Sequence, residues 1–333
     1  MGRILLTKSD LVASVLDIVG FKTGVILDAN ELRRHVSPNL VEYIDGPPQS
    51  VVTIRSETAE ELIVSILYSL GNVPQHANRP ITIVLFHRYR QDSRIEPLLD
   101  YLVTGLGALI KKANPGRPLD PKQLIDGAAE RFGTFGVQVA VEFLVGTHNM
   151  MHSNPWSRIR SIEWKDTVEL KELFQSERLE TYYGTFIDQR FIDYLAQNSA
   201  DLNDMHWRKF EALACEYFER AGFHVEIGPG RNDDGVDARV WPKNQKTPSP
   251  PLLLIQCKRE QSKISKVVVK ALWADVIAEE AESGLIVTIN GLSPGALKTK
   301  TARAYPIEVA DRRHLRTWLQ AMRTPNTGPF MLE

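Results

Sequence analysis

"LLLIQCKRE", residues 252–260, predicts a buried strand that continues without a turn signal into glutamine, cysteine, lysine and arginine. Because side chains alternate across a strand, Gln256 and Lys258 point to one face and Cys257 to the other. One interpretation is a central strand whose exposed end becomes polar, which is common. The other is that Gln256 and Lys258 project together into a reaction site. The strand by itself does not decide between them.

The sequence around this strand predicts a mixed sheet flanked by helices. Before it, apolar side chains at helical spacing occupy 207–221, and Gly222 ends that helix. Four further strands are predicted, with the sequences FHVEI, VDARVW, GLIVTIN and PIEVA. Further helices are predicted at about 264–282, from about 294, and at the end of this region. The order is helix, three strands, helix, strand, helix, strand, helix, which is typical of an α/β fold.

The sequence pattern of residues 1–178 predicts a separate α/β domain, but it does not reveal the role of that domain. Strand patterns occur at 51–55, 81–89 and 137–145, and helical patterns follow Ser56 and occupy about 92–112 and 120–131. The first two strands and the helix between them fit a βαβ unit. We expect a helical connector at 179–204 and the second α/β domain at 205–333.

The composition is that of a globular protein with room for two domains. The chain has 333 residues, of which 43% are hydrophobic and 24% are charged. It contains no run of about 18 apolar residues that could span a membrane, and its amino terminus has no convincing signal-peptide cleavage site. Its two cysteines, Cys215 and Cys257, suit a reducing compartment. These features predict a cytoplasmic protein without a membrane partner.

The net charge of -1 conceals a basic segment. Between residues 243 and 316 there are 13 Lys and Arg residues against 7 Asp and Glu residues. Clustering of this kind suits contact with phosphates. Lysines that merely solvate the faces of helices would produce the same excess, so charge alone leaves both interpretations open.

Two acids can join the polar end of the quoted strand. Asp237 opens the neighbouring strand, so its carboxylate and the Gln256 amide give an oxygen pair able to hold Mg²⁺. Such a metal would polarise a phosphodiester and lower the pKa of an attacking water. Lys258 could orient or deprotonate that water, or neutralise developing charge. Glu211 lies at the edge of the apolar stripe of its helix and could lean toward the same point.

Four stretches, WRKFEALACEYFERAGFHVE, DDGVDARV, LLLIQCKRE and SGLIVTINGLSPGAL, resemble in this order the Mrr-like restriction endonucleases of the PD-(D/E)XK nuclease superfamily. The resemblance covers about residues 185–320. It implies that Asp237 is the metal-binding aspartate, Lys258 the catalytic lysine and Glu211 the accessory acid of the helix. Gln256 replaces the usual second acid. This replacement is typical of the branch, yet it removes a negative charge and should weaken metal binding.

The resemblance implies Mg²⁺-dependent cleavage of DNA, with Mn²⁺ able to substitute, and Asp237 and Gln256 as metal ligands. Lysines and arginines that follow the quoted strand are then the expected DNA contacts: Arg259, Lys263, Lys266 and Lys270. Restriction or anti-phage defence follows from the resemblance alone. Cutting both strands requires two active sites, which favours a homodimer.

Residues 1–178 are not covered by the resemblance. This domain would choose the substrate, hold a protein partner, sense a signal or restrain the nuclease. The alternative for the whole chain is a nucleic-acid-binding or regulatory module that keeps the fold without cleaving. The presence of all four site residues argues against that alternative.

Two other motifs suggest different chemistry and are set aside. "GLSPG" fits the serine-hydrolase pattern, but Pro294 follows the serine and has no N–H for an oxyanion hole. Ser293 is better interpreted as a helix N-cap. "HNMMH" spaces His148 and His152 as in a zinc helix, but the glutamate of metalloproteases is missing and no third ligand is apparent.

Overall fold

A computed structural model describes residues 2–73, 80–112, 119–158, 160, 162–230, 235–245, 249–260 and 262–323. The described residues form two compact units, one that ends at Thr167 and one that spans Val168–Arg323. The predicted connector at 179–204 therefore falls inside the second compact unit. Within the described ranges, no helix combines the length and the apolar character that crossing a membrane requires.

The first unit combines a two-stranded ribbon with helices. Its elements are β1 (Arg3–Thr7), α1 (Lys8–Thr23), β2 (Val25–Ile26), α2 (Ala29–His35), a 3-10 helix (Pro38–Tyr43), β3 (Val51–Arg55), α3 (Ser56–Ser69), α4 (Ile81–Tyr89), α5 (Ile95–Lys112) and α6 (Lys122–Ser153). Strand β1 pairs antiparallel with β3. The predicted strand at 51–55 and the helix after it are thus confirmed.

Two predicted strands of the first unit are helices. Residues 81–89 form α4, and residues 137–145 lie within α6. The β-branched residues of both stretches suggested strands, but the buried side chains of α6 include Val139, Ala140 and Phe143, the spacing of one helical face. They share a core cluster with residues of α4 and α5. The βαβ interpretation is also wrong, because packing against neighbouring helices overrides a weak local propensity.

The second unit contains the predicted mixed sheet. Its elements are β4 (Val168–Glu169), α7 (Leu170–Gln175), α8 (Gln189–Gln197), a 3-10 helix (Ser199–Asn203), α9 (Trp207–Arg220), β5 (Phe223–Ile227), β6 (Ala238–Pro242), β7 (Leu253–Lys258), α10 (Lys266–Ala278), β8 (Ser283–Thr288), α11 (Pro294–Arg303), β9 (Ile307–Ala310) and α12 (Arg312–Met322). The sheet order is β5-β6-β7-β8-β9. Strands β5, β6 and β7 pair antiparallel, whereas β7, β8 and β9 pair parallel. The α/β fold class is confirmed.

Strand β7 is central and sends its side chains into two different layers. Leu254 packs in a cluster that includes Val269 of α10 and Ala296 of α11. Alternation sends Cys257 to the opposite face. There Cys215 of α9 lies close enough to contribute to the raised pKa of the Cys257 thiol, whose main cause is burial. The sheet therefore lies between α10–α11 and α9, and its polar end emerges between these layers.

The segment before α9 is tied to that helix by a buried carboxylate. Glu216 is 2% exposed and accepts hydrogen bonds from the backbone N–H groups of Thr185 at 2.9 Å and Phe186 at 2.7 Å. It also accepts one from Arg220 Nε at 2.7 Å. A buried charge is tolerated when hydrogen bonds of this kind satisfy it. The loop before α8 is therefore held as part of the second unit.

Candidate active site

A cleft of about 480 Å³ lies at the carboxyl end of β7. Its described lining residues come from the 3-10 helix Ser199–Asn203, from α9, and from the strand ends and the loops beside them. They are Asn203, Trp207, Glu211, Gly230, Asp237, Cys257, Lys258, Arg259 and Glu260. The structure thus brings together Asp237, Lys258 and Glu211, which the sequence places on three different elements. Gln256 is not among the described residues of this lining.

Asp237 directly precedes β6, and backbone hydrogen bonds hold it on two sides. Its N–H donates to Ile255 O at 2.9 Å, and its own carbonyl accepts from Gly228 N–H at 2.8 Å. The side chain is buried, and Oδ2 accepts a hydrogen bond of 2.6 Å from Cys257 N–H. One carboxylate oxygen is therefore fixed by the backbone of β7. A carboxylate held in this way needs little reorganisation to bind a ligand.

Glu211 places a second carboxyl group beside Asp237. It lies on α9 and is 5% exposed. Burial, followed by the negative charge of Asp237, raises the pKa of Glu211 to about 8, although Arg208 opposes the shift. Two buried acids in contact cannot both ionise at low cost. Burial and the neighbouring acid therefore favour the protonated form of Glu211, whereas Arg208 and a cation between the two acids favour its ionised form.

Arg208 supports this pair and was not predicted from the sequence. Its Nη1 donates to Glu211 Oε2 at 2.8 Å, and its Nη2 donates to Gly228 O at 2.7 Å. The signal that could have found it is the spacing of three residues between Arg208 and Glu211, which is that of helical ion pairs.

Gln256 uses the two ends of its amide differently. Nε2 donates to Gly235 O at 2.7 Å, in the turn just before Asp237. Gly235 has a φ of +91°, which favours glycine, and a Cβ there would lie 3.0 Å from Nε2. Oε1 is buried and has no hydrogen-bond partner within the described ranges. A buried acceptor without a partner is costly, so this oxygen is suited to a ligand or a water molecule.

The side chains present fit a divalent cation that prefers oxygen. Glu211 and Asp237 supply carboxylates in mutual contact within the cleft, whereas the buried amide oxygen of Gln256 is not among the described residues of its lining. In the part of the chain that the structure describes, no three His, Cys, Asp or Glu side chains converge on one point. Mg²⁺ commonly binds one or two carboxylates and completes its shell with water and substrate phosphate. Asp233 and Asp234, either of which could add a metal oxygen, lie outside the described residues.

The predicted basic residues occupy different positions relative to the cleft. Lys258, the last residue of β7, and Arg259 line it, and Arg259 Nη1 donates to Asn203 O. Lys263 is exposed in the loop after β7, and Lys266 and Lys270 are exposed one turn apart on α10. These three lysines are not among the described residues of the lining. Their contact with DNA stays a prediction.

The GLSPG and HNMMH motifs, which were set aside in the sequence, lie at the beginning of α11 and near the end of α6. Ser293 caps α11, since its side chain accepts a hydrogen bond from Ala296 N at 3.2 Å, and Pro294 is the first helical residue. This part of the sequence prediction is confirmed. His148 and His152 lie in the last turns of α6 with ring centroids 4.0 Å apart. Burial, His148 and Lys22 lower the pKa of His152 to about 4.

Comparisons with known proteins agree with the resemblance seen in the sequence. Residues 202–319 match a family model, Mrr_cat, described as a restriction endonuclease. The matched segment contains the whole five-stranded sheet and every described residue that lines the cleft.

Two individual proteins are also similar. "Uncharacterized protein y4cE" of Sinorhizobium fredii is 24% identical over 127 residues. The aligned region covers 38% of this chain and 32% of that relative, so the match spans about a third of the relative's length. The solved structure of the MspJI restriction endonuclease in complex with a 27-mer oligonucleotide is 18% identical, with a TM-score of 0.31. It covers 60% of this chain and 42% of that one.

Proposed function

We propose that this protein is a Mg²⁺-dependent DNA endonuclease that hydrolyses phosphodiester bonds in restriction or anti-phage defence. The observation that carries the proposal is the buried acid pair Glu211–Asp237 beside Lys258, in one cleft of a segment that matches a restriction endonuclease family.

The residues of the cleft have separable roles in this proposal. Asp237 and Glu211, which line the cleft, would hold the cation. Gln256 is not among the described lining residues, and its buried Oε1 is the further oxygen ligand that the sequence predicts. A bound Mg²⁺ supplies Lewis acidity and lowers the pKa of a coordinated water. Cys257 N–H keeps the Asp237 carboxylate in a fixed orientation. Lys258 Nζ would hold the attacking water or stabilise charge that develops on the phosphate.

The wider interactions extend the same proposal. Arg259, Lys263, Lys266 and Lys270 would contact the DNA backbone, and two protomers would cut the two strands. The first unit would select the substrate, bind a partner or restrain cleavage. Both cysteines are free thiols, which suits the cytoplasm.

A second candidate is a module of the same fold that binds nucleic acid without cutting it. Gln256 favours this candidate, because an amide replaces an anionic ligand and its Nε2 is used to hold the loop at Gly235. Without a second strand-borne carboxylate, the site depends on Glu211 for its second negative charge. The cleaving function is preferred because Glu211 already lies against Asp237.

Purified full-length protein incubated with supercoiled plasmid DNA separates the two candidates. We expect nicked and linear products with Mg²⁺ or Mn²⁺, and none with EDTA. Asp237→Asn should bind the plasmid without cutting it. Binding without cleavage by the wild type across a range of Mg²⁺ and Mn²⁺ concentrations would favour the non-cleaving module.

A further inference from the structure

Arg208 bonds through one guanidinium group to Glu211 and to the backbone of Gly228. Nη1 donates to Glu211 Oε2 at 2.8 Å, while Nη2 donates to Gly228 O at 2.7 Å. The side chains of Arg208 and Glu211 are only 14% and 7% exposed. Salt screens a partly buried pair weakly. Because the guanidinium is planar, its two bonds fix the direction of the Glu211 carboxylate as well as its distance.

Gly228 is the point at which this fork reaches Asp237. Its N–H donates to Asp237 O at 2.8 Å. A Cβ on Gly228 would lie 3.0 Å from Val236 O and 3.2 Å from Asp237 O, so the two backbone segments are in close contact. Arg208 therefore bonds to the Glu211 side chain and to the backbone that braces Asp237.

The backbone at Gly230, which lines the cleft, leaves little room for the guanidinium of Arg208 to move. A Cβ on Gly230 would lie 2.8 Å from Arg208 Nη1 and 3.1 Å from the Trp207 ring. Gly230 has a φ of +79°, which glycine adopts without strain. The close approach of Gly230 thus confines the guanidinium between Glu211 and the end of β5.

The same helix provides a natural comparison in Arg220. Its Nε donates to the buried Glu216 at 2.7 Å, and its Nη1 donates to the backbone carbonyl of Met322 at 2.9 Å. Arg220 thus also joins a glutamate of α9 to a main-chain oxygen. Neither Arg220 nor Glu216 is among the described residues that line the cleft. A purely stabilising arginine on this helix should behave as Arg220 does.

We propose that Arg208 is a positioning residue, which acts through Glu211 to set its carboxylate beside Asp237 so that both bind one divalent cation. This inference rests on the metal-dependent function proposed above. It requires the shape of the side chain, not only its charge. Removing a positive charge near two carboxylates would by itself raise their affinity for a cation. Loss of the fork should lower that affinity, because Glu211 is no longer held in place.

Arg208→Lys separates shape from charge. Lysine keeps the positive charge, but its ammonium group cannot reproduce a planar fork between Glu211 Oε2 and Gly228 O. Loss of a group that orients a metal ligand typically reduces metal affinity by about 10- to 100-fold. We therefore expect Arg208→Lys to weaken Mn²⁺ binding by about that factor.

The experiment measures Mn²⁺ binding to the full-length protein by calorimetry without DNA, together with thermal unfolding. The variants are Arg208→Lys, Glu211→Gln, their combination and the matched control Arg220→Lys. Both arginine variants should lower the unfolding temperature, but only Arg208→Lys should weaken Mn²⁺ binding. In the Glu211→Gln background, Arg208→Lys should have no further effect on binding, because residues that act through one another are not additive.

The outcomes distinguish this inference from the proposed function. Unchanged Mn²⁺ affinity in Arg208→Lys, or an equal loss with and without Glu211, overturns the positioning role. If the wild type binds Mn²⁺ without cutting DNA, the proposed nuclease function is refuted. The Mn²⁺ affinities of the variants still test the positioning role of Arg208. A wild type that binds no Mn²⁺ overturns both. If Arg208→Lys does not fold, Gly230→Ala displaces the same fork, and unchanged Mn²⁺ affinity in it would equally overturn the role.

Discussion

Gln256→Glu tests whether the two ends of the Gln256 amide have different functions. In the wild type, Nε2 donates to the carbonyl of Gly235 at 2.7 Å, and the residue is 5% exposed. An ionised glutamate would place an acceptor against that carbonyl and lose the bond, at a cost of about 1–3 kcal/mol for a buried group. A protonated glutamate can still donate. Burial should therefore raise the pKa of the new carboxyl group in the metal-free protein.

The sign of the pH effect follows from this raised pKa. The folded variant binds the proton more tightly than the unfolded chain does. Its stability relative to the wild type is therefore kept at low pH and lost as the pH rises through the raised pKa. For a unit of this size, each kcal/mol corresponds to roughly 2–4 °C in unfolding temperature. We expect near equality at a pH of about 4 and a metal-free variant roughly 2–12 °C less stable at a pH of about 8.

Differential scanning fluorimetry at both pH values, with and without Mg²⁺, measures the effect. Mg²⁺ should restore most of the lost stability at the higher pH, because a cation stabilises the ionised carboxylate, and cleavage should need less Mg²⁺ than in the wild type. Gln320→Glu is the matched control. Gln320 also donates to a carbonyl, that of Ala196 at 2.9 Å, but it is exposed and water can replace the bond. A Gln256→Glu variant as insensitive to pH and Mg²⁺ as this control would refute the reasoning.

Three further predictions concern the other residues of the site. Asp237→Asn keeps an acceptor for the 2.6 Å bond from Cys257 N–H, so it should stay folded but lose cleavage in a plasmid assay; normal cutting would contradict the metal-ligand role. Burial and Asp237 raise the pKa of Glu211 from 4.5 to about 8, so metal-free stability should fall between these pH values. In urea titrations, the free energy of unfolding should fall over this pH range by on the order of 1.4 kcal/mol for each unit of pKa shift. Glu211→Gln should remove this fall. An unchanged pH dependence in the variant would argue against the shift. Lys258→Ala should stop cleavage with little loss of DNA affinity. Lys266→Ala should instead reduce the salt dependence of DNA binding by about one unit of slope. If Lys258→Ala cuts DNA as fast as the wild type, Lys258 is only the polar end of a strand.

The sequence by itself determined the sheet of the second unit and predicted several of the charged side chains that line the cleft. Its strands are short apolar runs bounded by turn residues, and its helices carry apolar side chains at a period of 3.6. These local patterns agree with the packing, so β5 to β9 appear where they are predicted. The sequence predicts Asp237, Lys258 and Glu211 as site residues because their positions relative to these elements are readable along the chain, and all three line one cleft. Each stands at a strand end or at the edge of an apolar helical face.

Only the tertiary structure decided the helices α4 and α6 and the partners within the site. Residues 81–89 and 137–145 contain β-branched side chains that suit either conformation, and contacts between helices determined the outcome. The fork of Arg208 and the bond from Gln256 to Gly235 end on backbone carbonyls 20 and 21 residues away. A carbonyl has the same chemistry at every residue, so no side-chain pattern marks which one a distant donor will reach. Which carbonyl accepts each bond is decided only when β5, β6 and β7 have paired and α9 has packed against them.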